Sequence, residues 1–168
     1  MTTLNRTLLF ITLTLLQVLV FNHTHIMGYA TPMPFIYLIL SLHSTTSRAT
    51  YIILGFAIGL IVDIFSNTIG ECAAATTLLA LVAPNLLNAF SPADRDDDGF
   101  APSPRTMKWS GYIKYALSAT AVYCIAFFAL DCFAIAHTAQ MAIHIASSTV
   151  ITLLVICAIE HIHLSIRR

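Results

Sequence analysis

Charge is what this sequence has least of. Only 10% of its 168 residues are Asp, Glu, Lys or Arg, against about a quarter in a soluble domain. With 58% hydrophobic residues and a mean hydropathy of +0.82, there is too little polar side chain to cover a globule. A soluble domain is excluded, and lipid must do part of the covering. Cysteine is sparse too. Cys72, Cys124, Cys132 and Cys157 show no paired short spacing, so they read as small apolar residues and not as a disulfide or metal framework. The chain has no HExxH, no Gly-rich phosphate cradle, no nucleophile with a base at usable spacing and no paired carboxylates at one depth. Neither an enzyme nor a cofactor is expected, and no nucleic-acid partner.

Basic residues are missing from three long intervals. The eight are Arg6, Arg48, Arg95, Arg105, Lys108, Lys114, Arg167 and Arg168, which leaves 7–47, 49–94 and 115–166 without any. A spanning helix needs about 20 residues, so each interval is long enough to cross a membrane and return. Three such hairpins put every Lys and Arg on one side, which the positive-inside rule makes the cytoplasm. The expectation is an all-α, six-helix integral membrane protein, one domain over 1–168, with both termini inside. Met1–Phe21 imitates a secretory signal, and Gly28-Tyr29-Ala30 resembles a cleavage pattern. An uncleaved first span is favoured, because only Arg6 forms the basic leader and a hairpin partner follows at once.

The expected spans are 7–21, 32–42, 49–65, 72–90, 112–133 and 138–161. Residues 91–111 form a polar cytoplasmic loop, with Trp109 at the interface. Pro84, inside the fourth span, is expected to kink it. The second span is odd. From Pro32 to Leu42 a helix would be only ~16 Å long, well short of a core of ~30 Å. Either Ile26–Thr31 continues into the bilayer as non-helical backbone, or a half-length helix sits sheltered by protein.

Some polar residues in this apolar context invite chemistry. Asp94, Asp96, Asp98 and Gly99 imitate the opening of an EF-hand loop, but the twelfth position is Arg105 where a bidentate Glu is required. Of seven histidines only His144 lies well inside a span, so no facing pair suits haem. His23-x-His25, in an outer loop, is a weak metal signal. Gln140, His144, Ser148 and Thr152, spaced by four, make a polar ridge on the sixth span. It reads as a helix-packing seam, with a solute-lined path as the alternative. Asp131 and Glu160, near span ends, are expected to reach water.

Gly55, Gly59 and Asp63 share one face of the third span. Small residues four apart let a helix backbone approach closely, within the chain or between chains. A carboxylate inside a span costs about 2.5–3.5 kcal/mol on insertion scales, and no outer Lys or Arg can pair with Asp63. Its candidate donors are Ser66, Asn67, Thr76, Thr77 or the first amides of the next helix. An Asp held by those amides would tie the hairpin together; proton or ion coupling is the sharper alternative.

The run "GFAIGLIVDIFSNTIG", followed by "ECAAATTLLALVAP", resembles the core of the MreD family of rod shape-determining proteins. The upstream "LLQVLVFNHTHIMGYATPMPFIYLILSL" is similar to that family's first hairpin as found in the Bacteroidetes. The likeness covers most of the chain and is specific from Gln17 to Pro84. Gly55, Gly59, Leu60, Asp63 and Gly70 stand where the family's pattern places them. The resemblance implies a six-helix bacterial inner-membrane protein, similar in architecture to the substrate-binding subunits of ECF vitamin transporters. It implies a non-enzymatic role in the cell-elongation complex. The partners would be the single-span protein MreC, the synthase RodA with its transpeptidase, and indirectly MreB filaments. Gly55, Gly59, Asp63, Gly70, Pro32 and Pro34 would then shape helix contacts or a partner interface. A small-solute binding or transport subunit is the alternative.

Overall fold

The computed structural model describes residues 31–68, 70–91, 99–131 and 138–166. The expected first span, His23, His25, His137, Cys132 and the acidic run 94–98 lie outside them. Every element within them is helical: a short helical piece, then four long helices. The piece is a 3-10 turn at Pro34–Ile36 continuing into α1, Tyr37–Leu40. After it come α2 (Arg48–Ser66), α3 (Glu71–Phe90), α4 (Pro104–Asp131) and α5 (Thr138–Ile166). The last four are long and apolar enough to cross a membrane.

Their order follows from local chemistry. Ser47 starts α2, its hydroxyl accepting from the Thr50 amide at 3.2 Å, as N-cap serines do. Asn67 ends it in the left-handed region at φ 55°, and Gly70, at φ 79°, starts α3. Both are residue types that tolerate such angles, so the chain reverses within a few residues and α2 lies antiparallel to α3. Pro84 sits inside α3 without ending it. The helices α2 to α5 pack in sequence order, each against the next. The starts of α2 and α4, with Arg48, Arg105 and Lys108, therefore share one end of the bundle, hereafter the basic end.

Two expected boundaries are corrected. The loop drawn over 91–111 is helical from Pro104, because Ser103 and Thr106 cap one another: the Ser103 amide donates to Thr106 Oγ1 at 3.1 Å and the Thr106 amide to Ser103 Oγ at 3.4 Å. The charges on Arg105 and Lys108 had marked this stretch as solvent-borne, yet Pro104 and Met107 are buried. The second span is not an 11-residue helix: its helical part ends at Leu40.

The core lies around that short piece. Met33, Phe35, Ile36, Tyr37, Leu38, Ile39 and Leu40 are all buried. A helix apolar on every side is stable only when surrounded, and α1 is surrounded. Phe35 meets the Tyr123 ring edge-on, centroids 5.7 Å apart. Ile53, Phe56, Ile64, Phe65, Leu81 and Leu154 face outward, as lipid-facing side chains should.

Candidate functional site

A half-helix in a membrane creates a backbone problem at both ends, since its terminal amides and carbonyls have no water to bond. The chain answers first by omission. Pro32 and Pro34 carry no N–H, so only Thr31 and Met33 present amides within 31–34. The Thr31 amide donates to Ser148 Oγ and the Met33 amide to Thr152 Oγ1, each at 3.1 Å. Ser148 and Thr152 are fully buried and lie one turn apart on α5. Two members of the polar ridge thus seat the non-helical backbone at Thr31 and Met33, and a sheltered half-helix follows. The expectation of non-helical chain over Ile26–Thr31 lies, but for Thr31, outside the described residues.

The ridge continues two turns further. Ile156 is fully buried and so is nearly all of Glu160, whose Oε2 accepts from the Tyr37 hydroxyl at 2.7 Å. His163 Nδ1 lies 4.0 Å from the same oxygen. Glu160 is therefore not the water-reaching residue expected from its place near a span end. Its position on the ridge, four residues beyond Ile156, was the available signal. What it faced could not be read, because Tyr37 is 123 residues away in sequence. His144, at the other end, lies against Phe128 with ring centroids 5.8 Å apart. The Gln140 side chain lies outside the described residues.

Tyrosines close the far end of the half-helix. Tyr51 of α2 donates to the Leu42 carbonyl at 3.3 Å, and Tyr115 of α4 makes a longer 3.5 Å contact with the Leu40 carbonyl. Elements on three sides thus satisfy the polar groups of one buried segment, α5 at its start and α2 and α4 at its end.

The second constellation is the α2–α3 turn. Asp63 is 3% exposed. Its Oδ1 accepts from the Cys72 amide at 3.0 Å and from the Thr68 hydroxyl, and its Oδ2 from the Ala73 amide at 2.8 Å. Its own carbonyl accepts from the Asn67 and Thr68 amides. Gly70 offers α3 no side-chain cap, so a residue of the preceding helix caps it. Carboxylate at a helix N-terminus is also favoured by the helix dipole. Of the donors considered, the amides of the next helix are the ones used, with Thr68 added.

Gly55 and Gly59 face α3 of the same chain. A Cβ on Gly55 would sit 2.7 Å from Ala80 Cβ and 2.9 Å from the Thr76 carbonyl oxygen. One on Gly59 would meet Ala73 Cα at 2.5 Å and the Cys72 carbonyl oxygen at 2.6 Å. These glycines serve an intramolecular seam and are closed to a second chain. Gly70 differs: no atom crowds its Cβ position, so its backbone angle alone requires glycine. It borders an apolar groove between α2 and α3, of about 630 Å³, whose walls include Phe56, Leu60, Ala74, Leu78 and Leu81. The groove is lined by exposed apolar side chains, Phe56, Leu60, Leu78 and Leu81 among them. Cys72 and Cys124 are buried and free. Comparison with known proteins found no match: no family model, no curated protein and no solved structure aligns with this chain.

Proposed function

We propose that this chain is a non-enzymatic membrane scaffold of the MreD type, which holds a single-span partner helix within the bacterial inner membrane. The observation that carries this reading is how the polar groups around the half-helix and at the α2–α3 turn are used. Ser148, Thr152, Tyr37 and Glu160 bond to the chain itself, and Asp63 accepts from three groups of its own hairpin. A transport subunit needs such groups directed at a solute. A scaffold needs them spent on shape, with an apolar surface left for the partner. The groove between α2 and α3 is such a surface, shallow enough through Gly70, Ala73 and Ala74 for a helix to lie close.

On this reading the partner is MreC, and through it the chain links MreB filaments to RodA and its transpeptidase, with the basic end in the cytoplasm. The test is a photocrosslinking residue at position 56, in the groove, compared with one at position 154 on the exposed side of α5. The expected result is a crosslink to the MreC span from 56 and none from 154. Crosslinking from 154 alone, or a purified chain that retains a small solute and no partner, overturns the proposal.

A further inference from the structure

At the basic end, local sequence and tertiary contact disagree about one residue. Ser103 is a preferred N-cap and Pro104 a preferred first helical residue, and between Thr106 and Asp131 there is no proline. Local chemistry therefore asks for one unbroken helix from Pro104. Instead Lys108 interrupts α4 at φ 58°, ψ 156°, a region that is almost exclusively glycine's and is held by other residues only where surrounding contacts impose it.

The contacts that impose it can be named. Residues Gly99–Met107 form a strap across the loop 41–47 that leaves α1. Phe100 and Ser44 are tied twice: the Phe100 amide donates to Ser44 Oγ and the Ser44 amide to the Phe100 carbonyl, each at 2.9 Å. A Cβ on Gly99, itself at φ 73°, would sit 3.0 Å from Ser44 Oγ and 3.1 Å from His43 Cε1, so strap and loop are in close contact. Arg105 donates to the Leu164 carbonyl in the last turn of α5 at 3.2 Å. Met107, one residue before the break, is 3% exposed, whereas Lys108 itself is exposed. The strap is tied down at both ends, and the strain collects at the joint.

We propose that Lys108 is a hinge and that Gly99–Met107 is a latch with two positions. The closed position is the one described. In the released position Lys108 takes ordinary helical angles, α4 runs straight from Pro104, and Phe100 leaves Ser44, uncovering the loop that closes the half-helix at the basic end. Strain at the joint favours release and the strap's contacts favour closure, so the two positions are set against one another. This inference does not depend on the scaffold reading.

Amide hydrogen exchange on the full chain in detergent, followed in peptides covering 41–47 and 99–107, tests it. Lys108→Gly removes the strain and disfavours a continuous helix, so it holds the latch closed. Exchange in both peptides should slow by about tenfold, the order that relief of one such strained residue allows. Lys108→Ala favours the straight helix and should speed exchange in the same two peptides, with peptides of the α2–α3 turn unchanged. Opposite shifts from the two variants support the latch. Equal exchange in all three proteins, or faster exchange in Lys108→Gly, overturns it. If Lys108→Ala does not fold, Lys108→Gly alone decides by the same criterion.

Discussion

A carboxylate can lie beside lipid when backbone amides supply what water would have. Asp63 does so with the Cys72 and Ala73 amides and the Thr68 hydroxyl. Removing it orphans two buried amides at once, each worth about 1–3 kcal/mol. Asp63→Ala should therefore lose about 3 kcal/mol and lower the folded yield even without partners, as thermal unfolding in detergent would record. Asp63→Asn keeps one acceptor and should fall between. Wild-type stability in Asp63→Ala would mean that the hairpin does not depend on this cap. The two kinds of glycine separate in the same assay. Gly59→Ala drives a methyl into the backbone of α3 and should cost about 1–3 kcal/mol. Gly70→Ala meets no atom and should cost only the left-handed penalty, about 1–2 kcal/mol, with α2 and α3 packed as before. Asp63 was legible in the sequence because a lone acid in a span with no basic neighbour must find amides or hydroxyls, and the nearest were those of the next turn. Glu160 was not legible. A carboxylate near a span end looks interfacial whichever way its helix is turned, and only its contact with Tyr37 fixes the rotation.

Among the elements, the half-helix depends most on side chains distant in sequence. Its entry is held by two hydroxyls from α5, and in the membrane no water replaces a lost one. Thr152→Val keeps the volume and removes the acceptor for the Met33 amide. It should cost about 1–3 kcal/mol and speed exchange at Met33 while leaving the Cys72 and Ala73 amides protected. Ser148→Ala should do the same at Thr31, less severely, because that bond is only partly buried. Faster exchange of the α2–α3 turn in either variant would contradict the independence of the two constellations. Hydropathy placed α2 and α3 well: 49–65 and 72–90 were expected, against Arg48–Ser66 and Glu71–Phe90. They meet at the sharp α2–α3 turn marked by Asn67 and Gly70. It missed the start of α4 by eight residues, since Arg105 and Lys108 make a helical turn resemble loop. The spacing of the ridge was equally plain, but a period of four gives the face and not what packs on it.

For the whole molecule, the distribution of charge is the organising fact. The ends of the four long helices alternate, and the described basic residues Arg48, Arg105, Lys108 and Lys114 lie in or near the first turns of α2 and α4, toward one end, where Arg48 also bonds Asn85 near the end of α3 at 3.2 Å. The opposite end holds the Asp63 turn, whose backbone is satisfied within the chain and needs no cation. Such a bundle has one low-energy orientation in a membrane whose insertion machinery retains Lys and Arg inside. The prediction is read with single cysteines in a background lacking the four native ones. Arg48→Cys and Asn67→Cys sit at opposite ends and both positions are exposed. An impermeant thiol reagent added to intact cells should label position 67 and spare position 48 until the membrane is opened. Labelling of 48 from outside would reverse the bundle, place the strap and the half-helix exit on the wrong side for a cytoplasmic filament, and remove the ground for the scaffold reading. Labelling of both would mean that α2 does not cross the membrane, and the groove beside it would then face no lipid.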